Sequence, residues 1–404
     1  MTWFHTHVVM PFTEPDRYFG LPGRLRTIRR FEHLPEKEQR KEQEIRLRRL
    51  LQHAYDTVPY YRQVFDHAGF RATDARVDRA LPLPVLTRNH LRTHAKSLLS
   101  TACRPENLRQ AISSGGSSPV RFRRDIDGIR DKVALKIKLD ALCGFNPGDS
   151  VMMLWGGHRD LAMEPNWRWR MYEEVLMRRA LTPSGTVAPQ ILERFRLRFE
   201  KERPKVLYGY SSVLAAFAAY LREHGRKHRP QVIIATAEPL SDKSRHLIAS
   251  VFGVTPSVAY GSRDIGIIGA ECAEHEGLHF HPWGSYVEFD PICESPDGTV
   301  YRLLATDLLN YGQPFIRYDT GDCVTLAHQS CSCGRWFPLI SKVVGRVPEG
   351  SALPSSSSAQ VVVIGRRMTK SAHDTWPLPE GQILRQRPRL LAMRSETKRD
   401  GLSA

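Results

Sequence analysis

The sequence lacks an apolar run long enough to cross a membrane, and its first residues carry no basic leader followed by an apolar stretch. These absences argue against membrane insertion and against a secretory signal. Cysteine is scarce and odd in number, with seven residues in a chain of 404, so a disulfide framework is not expected. Together these absences predict a cytoplasmic protein.

Acidic residues are outnumbered, since 59 Lys and Arg stand against 43 Asp and Glu for a formal net charge of +16. That balance suits a nucleic acid, but it suits a small phosphorylated ligand equally well. The excess is strongest in residues 24–49 and 168–203 and forms no compact basic arm. We therefore predict a small-molecule ligand and no nucleic-acid partner.

Strands alternate with helices through the middle of the chain, which predicts an α/β fold with ligands bound where parallel strands end. A charged amphipathic helix from residue 35 should end near Pro59, and Thr87 should cap a short helix. The other predicted elements are helices at 126–142, 193–201 and 242–252, and strands at Val151–Trp155 and within PKVLYGY, PQVIIATAEPL and VTPSVAYGS.

The composition and hydrophobic periodicity of the sequence change along the chain and suggest four regions. Residues 1–100 are helical, 101–276 form an α/β core, and 277–346 are β-rich. Residues 347–404 are rich in Ser, Pro and Arg and almost without periodicity, so most of this tail is expected to be disordered.

The stretch SSGGSSP at residues 113–119 is made almost wholly of small and hydroxylated residues. Such a stretch fits an ordinary turn, and it also fits a loop whose N–H groups and hydroxyls surround a phosphate. The stretch alone does not distinguish the two.

Three stretches in order, SSGGSSPVRF, VAYGSRDIGIIGAEC and PFIRYDTGDCVTL, resemble the adenylate-forming superfamily. The flanking VPYYRQVF, LYGYSSVLAAFAAYL and IIATAEPL extend the resemblance over residues 20–346. The chain is most similar to the phenylacetate–coenzyme A ligases and their relatives in capsular-polysaccharide gene clusters. This resemblance implies a large N-terminal domain with α/β subdomains and a β-rich subdomain.

The resemblance also implies an activity. ATP and a carboxylic acid would form an acyl-adenylate with Mg²⁺, and the acyl group would pass to coenzyme A, in this case within polysaccharide synthesis. Such catalysis depends mainly on positioning and charge neutralisation. The alternative is a degenerate member of the superfamily that binds nucleotide with little chemistry.

The resemblance assigns the phosphate loop to Ser113, Ser114, Gly115, Gly116 and Ser117, which would surround the β- and γ-phosphates. The family usually continues this loop to a lysine, whereas this sequence continues to a proline.

The second stretch implies that Tyr260, Gly261 and Ser262 bind the nucleotide, with the tyrosine ring against adenine. Asp264 stands where the family has the acid that helps to hold Mg²⁺. Aspartate is one methylene shorter than the usual glutamate, and the neighbouring Arg263 competes for its charge.

The third stretch implies that Asp322 accepts hydrogen bonds from the ribose hydroxyls. Arg317 would either serve phosphate as a catalytic residue or pair with Asp319. Arg346 would begin the hinge to the small C-terminal domain and contact the nucleotide.

The acid substrate is expected, by analogy to the family, near Trp155, Tyr208, Tyr210 and Glu238. An aromatic-lined pocket suits an aryl or other apolar acid.

Cysteine and histidine cluster late in the sequence, in ECAEHEGLH and CSCGR. Cys272, His279, Cys331 and Cys333 would make a tetrahedral set for a structural Zn²⁺. The histidine ligand could instead be one of two neighbours, His275 or His281.

The sequence departs from the family after Arg346. Family members continue for about 100 residues, a domain's length, and that domain supplies a catalytic lysine. Here Val347 replaces the expected acid, and Lys370 and Lys398 lie in unrelated context, so neither is assigned. The region resembles a truncation or a change of reading frame. Loss of one catalytic charge should cost several kcal/mol of transition-state stabilisation.

Overall fold

The computed structural model describes residues 2–113, 119–155, 171–183, 187–296 and 298–346. Two stretches with a sequence-based prediction fall outside these residues. They are most of the Ser/Gly loop, predicted to bind phosphate, and the tail from 347 to 404, predicted to be mostly disordered. No helix of the described residues is long and apolar enough to cross a membrane.

Helices dominate the N-terminal region and recur between the strands of the middle region. They are α1 Thr2–Phe4, α2 Met10–Thr13, α3 Pro15–Tyr18, α4 Leu21–Glu32, α5 Glu36–Thr57, α6 Pro59–Ala68, α7 Arg88–Thr93, α8 Ile126–Leu142, α9 Pro189–Glu202, α10 Ser211–His224 and α11 Asp242–Phe252. Short π-helical segments cover His5–Val9 and Met171–Leu176, and 3-10 turns cover Ala72–Asp74 and Pro105–Asn107.

The strands are short in the first half of the chain and longer in the second. They are β1 Leu108–Ile112, β2 Arg121–Asp125, β3 Val151–Trp155, β4 Arg179–Pro183, β5 Val206–Tyr210, β6 Val232–Thr236, β7 Ser257–Ser262, β8 Gly266–Glu271, β9 Leu278–Phe280, β10 Ser285–Ser295, β11 Gly298–Asp307, β12 Tyr318–Leu326 and β13 Leu339–Arg346.

Among the described residues, eleven strands form one mixed sheet in the order β10-β11-β12-β13-β9-β8-β7-β6-β5-β3-β4. Strands β4, β3, β5, β6 and β7 run parallel to one another. On the other side of β7, each neighbouring pair in the sheet order β7-β8-β9-β13-β12-β11-β10 is antiparallel. The predicted α/β fold is therefore confirmed. The β-rich part is continuous with the α/β part through a shared sheet.

The break between α5 and α6 follows from the sequence. Proline disfavours the helical region for the residue before it, and Val58 is extended at φ −114° and ψ 109°. Helix α5 therefore ends at Thr57, and α6 begins at Pro59, as expected. Burial of Leu47, Leu50, Leu51 and Ala54 along one side fixes α5 against the core.

Helix α8 covers one face of the parallel strands. Its Ala134, Leu135 and Leu139 are buried with Val206 and Ile234 from the centre of the sheet. The helix begins where Asp125 accepts a hydrogen bond from the backbone N–H of Gly128 at 2.6 Å. The next element after the helix is β3, the strand that lies between β4 and β5 in the sheet.

Glu271 closes the end of β8 in a buried ion pair. Its carboxylate accepts from Arg245 of α11 at 2.7 and 3.0 Å and from the backbone N–H of Val258 at 3.0 Å. Burial raises the pKa of Glu271, but hydrogen bonds from His275 and Arg245 outweigh it and lower the pKa overall. This pair ties helix α11 to the sheet.

Candidate active site

The Ser/Gly loop connects the two strands of a separate antiparallel hairpin, β1 and β2. Ser113 closes the hairpin, because its N–H donates to the Val120 carbonyl and its Oγ accepts from the Val120 N–H, both at 2.9 Å. The loop thus has ordered strands on both sides, which a phosphate loop requires and a linker does not. Four of its predicted phosphate ligands, Ser114, Gly115, Gly116 and Ser117, lie outside the described residues.

Asp322 is the centre of a group contributed by three strands. Its Oδ2 accepts from the hydroxyl of Tyr260 at 2.7 Å, and its Oδ1 accepts from Nε of Arg346 at 2.6 Å. Asp322 and Arg346 face each other directly in the β12–β13 register, so strand pairing brings them together. Burial, reinforced by the Asp322 charge, raises the pKa of Tyr260 well above its ordinary value, so the phenol stays protonated and donates.

The turn after β7 is shaped by Gly261 and Ser262. A Cβ on Gly261 would lie 2.2 Å from the Gly266 carbonyl oxygen across the β7–β8 pair, so only glycine fits. The Ser262 hydroxyl accepts from the backbone N–H groups of Asp264 and Ile265 at 3.2 and 3.3 Å. Both residues therefore fix the path of the chain between Tyr260 and Asp264.

Asp264 is buried at 3% exposure and only half of its carboxylate is engaged. Its Oδ2 accepts from the Tyr318 hydroxyl at 2.7 Å and from Nη2 of Arg88 at 3.2 Å. Its Oδ1 is buried without a hydrogen-bond partner among the described residues. This oxygen is the one that a metal ion could use.

Arg88 is a member of the site that the sequence did not reveal. It is the first residue of α7, which Thr87 caps by accepting from the His90 N–H at 3.3 Å. Burial lowers the pKa of Arg346, but Asp322 outweighs it and raises the pKa overall. The positive charge of Arg88 opposes this rise by a smaller amount, so the two guanidinium groups share one neighbourhood. The site therefore combines two carboxylates with two arginines.

The predicted acid pocket has a strong aromatic component. The rings of Trp155 and Tyr208 are nearly parallel, with centroids 6.2 Å apart and planes inclined by 12°. Trp155 also meets Tyr210 edge to face at 5.2 Å. These three rings lie at or near the carboxyl ends of β3 and β5, where α/β sheets bind ligands.

Glu238 differs from the other predicted pocket residues. Its Oε2 accepts from the backbone N–H of Ser212 at 3.0 Å, and its carbonyl accepts from the Ser211 hydroxyl at 2.9 Å. Both contacts are at the first turn of α10, where a carboxylate is favoured by the unpaired N–H groups. These contacts brace the helix, and a substrate contact for Glu238 stays a prediction.

Comparison with known proteins gives relatives of one kind. No protein-family model matches the chain. The phenylacetate–coenzyme A ligase of Thermus thermophilus is 27% identical over 332 residues, covering 79% of this chain and 72% of that protein. The phenylacetate–coenzyme A ligase of Pseudomonas putida is 26% identical over 320 residues, covering 74% of this chain and 69% of that protein.

Solved structures agree on the fold. A 2-hydroxyisobutyryl-CoA ligase in an open conformation, in complex with 2-HIB-AMP and CoA, superposes with a TM-score of 0.64 at 19% identity. The match covers 85% of this chain and 81% of that one. The same ligase in the thioesterification state has a TM-score of 0.63 at 19% identity and covers 85% of this chain and 73% of that one.

The chain is similar in sequence to phenylacetate–coenzyme A ligases and shares the fold of a 2-hydroxyisobutyryl-CoA ligase. Both comparisons agree with the resemblance that the motifs indicated. In this fold the predicted residues Tyr260, Asp264, Asp322 and Arg346 converge through the contacts above.

Arg317 does not make the expected pair with Asp319. Its Nε donates to Glu288 at 3.0 Å, and its Nη1 donates to the Leu83 carbonyl. The expected pairing with Asp319 is wrong, because Asp319 instead lies 3.9 Å from Arg302. Glu288 comes from β10, far from Arg317 in sequence, so the sequence offered no signal for this pair. The contacts hold the 81–86 segment against the sheet, and a catalytic role for Arg317 stays a prediction.

Cys272, His279, Cys331 and Cys333 come together in the fold, with all four potential ligand atoms within 4.8 Å of one another. The sulfurs of Cys272 and Cys331 are 3.6 Å apart, and Cys333 Sγ is 3.5 Å from His279 Nε2. The alternatives His275 and His281 are instead paired with Glu271 and Glu32.

The pKa values of His279, Cys331 and Cys333 are shifted in different directions. Burial, with a smaller contribution from Arg335, lowers the pKa of His279 to about 4, so its imidazole is neutral near pH 7. Burial raises the pKa of Cys331 to about 12. Burial also raises the pKa of Cys333, but hydrogen bonds from Arg335 and the other two thiols outweigh it and lower the pKa overall.

Proposed function

We propose that this chain uses ATP to activate a carboxylic acid as an acyl-adenylate, with Mg²⁺, and passes the acyl group to coenzyme A. Both curated relatives are acid–coenzyme A ligases by name, and the superposed structure is a ligase in complex with an acyl-AMP and CoA. The protein's own residues would orient the nucleotide and neutralise charge as pyrophosphate leaves.

The observation that carries the proposal is the arrangement around Asp322. A buried carboxylate held between a tyrosine hydroxyl and an arginine is fixed in direction before any ligand arrives. A preorganised carboxylate can accept from two adjacent hydroxyls, as a ribose presents them. Asp264, with its unpartnered oxygen, would then stand on the phosphate side with Mg²⁺.

The experiment is release of pyrophosphate from Mg-ATP with a panel of aryl and aliphatic carboxylic acids. We expect acid-dependent release from the wild type and loss of it in Asp322→Asn. Asp290→Asn serves as the matched control, because Asp290 is an exposed carboxylate on β10 and should leave the rate unchanged. Nucleotide binding without release from any acid would favour the non-catalytic alternative.

Transfer to coenzyme A is tested separately by following thioester formation from each acid that releases pyrophosphate. Adenylation without thioester would contradict coenzyme A as the acceptor. A place in polysaccharide synthesis stays a prediction, and including sugar acids in the panel tests it.

We further propose that the Cys272, His279, Cys331 and Cys333 cluster holds a structural Zn²⁺. Tetrahedral Zn²⁺ with bonds of about 2.3 Å to sulfur and about 2.0 Å to nitrogen separates two sulfurs by about 3.8 Å and sulfur from nitrogen by about 3.5 Å. The observed distances of 3.6 and 3.5 Å fit this geometry. Four protein ligands leave no open position, so the ion would stabilise the fold rather than catalyse.

Elemental analysis of protein purified without chelators should find about one zinc per chain. Replacing Cys331 and Cys333 together by serine should abolish it, whereas Cys293→Ser, at a half-buried thiol of β10, should not. Absence of zinc from the wild type, or its retention by the double variant, would contradict the proposal.

A further inference from the structure

A charged pair lies unexpectedly against the aromatic pocket. Lys136 of α8 stands over the ring of Tyr208, with Nζ 5.1 Å from the ring centroid. The same ring stacks on Trp155. Lys136 also donates to the Oδ2 of Asp140, one helical turn further along α8. A pocket for a purely apolar acid would gain nothing from such a pair, because burying charged groups costs free energy.

Asp140 is incompletely satisfied. The residue is 5% exposed, and its Oδ1 is buried without a hydrogen-bond partner among the described residues. A buried acceptor without a partner is costly, and such atoms in native proteins usually meet a water or a ligand. The pair is therefore short of one donor.

Lys136 can be reached by a small molecule, since about 40% of its side chain is accessible. Its ammonium has three donors, of which Asp140 uses one. Burial lowers the pKa of Lys136, but Asp140 outweighs this and raises the pKa overall, so the group stays charged. Donors of Lys136 thus remain for a ligand acceptor, beside an Asp140 oxygen that lacks a donor.

A hydroxyl group satisfies both requirements at once, because it accepts from the ammonium and donates to the carboxylate oxygen. A second carboxylate would meet Lys136 but would be repelled by Asp140. We infer that Lys136 and Asp140 form the polar end of the acid-binding pocket and select a hydroxylated aryl acid. This inference rests on the proposed function and specifies its substrate class.

The experiment compares four acids, phenylacetate, its 3-hydroxy and 4-hydroxy derivatives, and 4-methylphenylacetate. The methyl group matches the hydroxyl in size but makes no hydrogen bond. Binding is measured by calorimetry in the presence of Mg²⁺ and a non-hydrolysable ATP analogue, and pyrophosphate release is measured alongside. The binding readout keeps this inference testable even if no acid is turned over.

We expect at least one hydroxylated acid to bind about 10- to 100-fold more tightly than 4-methylphenylacetate, the range for hydrogen bonds to charged groups. Lys136→Met and Asp140→Asn should each remove most of that preference. Lys138→Met is the matched control, because Lys138 lies on the same helix but pairs with Glu32 at 2.6 Å. It should keep the preference of the wild type.

Equal binding of the methyl and hydroxyl acids by the wild type would overturn the inference, and so would absence of binding by all four acids. A preference that survives both Lys136→Met and Asp140→Asn would also overturn it. The comparison within the wild type does not depend on whether either variant folds.

Discussion

The hydrogen bond from Tyr260 to Asp322 should contribute measurably to stability, and Tyr260→Phe isolates it. The substitution removes one oxygen and keeps the ring, which packs edge to face on Phe280 with centroids 5.3 Å apart. It leaves the buried Oδ2 of Asp322 without the donor at 2.7 Å. Arg346, on the other oxygen, remains.

The magnitude follows from the charge and burial of the acceptor. A hydrogen bond to a charged group contributes about 1.5–3 kcal/mol. Asp322 is only 7% exposed, so water cannot readily replace the lost phenol. For a large domain, a shift of about 2–4 °C per kcal/mol converts this loss into a fall in melting temperature of about 3–12 °C.

The assay is urea unfolding and thermal melting of the wild type and two variants. Tyr55→Phe is the control, because its hydroxyl donates to Asp66 at 3.0 Å on the exposed surface. We expect Tyr55→Phe to cost less than about 0.5 kcal/mol, as surface substitutions usually do. Equal losses in the two variants would refute the view that Tyr260 and Asp322 form a preorganised buried pair.

Three further predictions concern stability. With metal removed by EDTA, the free energy of unfolding should be intact above pH 6.5 and fall by about 3 kcal/mol towards pH 4. The reason is that the histidine of the unfolded chain binds a proton in this range, whereas buried His279, with its pKa of about 4, does not. His279→Asn should flatten the dependence of urea unfolding on pH across this range, and an unchanged slope would contradict the assignment. Gly261→Ala should lower the free energy of unfolding by about 2 kcal/mol or more, because the added methyl group overpacks the β7–β8 pair. Gly23→Ala should be neutral or slightly stabilising, because the nearest atom to its added Cβ would be 3.9 Å away. Similar unfolding midpoints for the two variants would disprove the close approach at Gly261. Arg245→Met should cost about 3–5 kcal/mol of unfolding free energy, because the buried carboxylate of Glu271 loses its arginine partner. Arg79→Met, from an exposed pair, should cost less than about 0.5 kcal/mol. Comparable losses in denaturant would contradict the difference in burial.

Much of the fold was predictable because its signals are local. Helix α8 and strand β3 have the bounds that periodicity and turn residues indicated. Strands β1 and β2 were missed, since LRQAI and RFRRD are polar and short. They become strands because hairpin closure at Ser113 pairs them, which is a tertiary effect that propensity does not record.

The site was predictable only where motifs carried it. Tyr260, Asp322 and Arg346 were found through the resemblance, and the β12–β13 register explains why Asp322 and Arg346 meet. Arg88 gave no signal beyond following a capping threonine, because its role depends on the tertiary contacts that bring it to Asp264 and Tyr318. Lys136 was hidden among other charges of α8, and only the sheet shows that it faces Tyr208.

Calorimetric titration of Mg-ATP shows directly whether Asp322 anchors a nucleotide. We expect saturable binding to the wild type and to Asp290→Asn. We expect affinity weakened by at least about 10-fold in Asp322→Asn, as for a lost hydrogen bond to a charged group. Equal affinity in all three proteins, or no binding by the wild type, would contradict it.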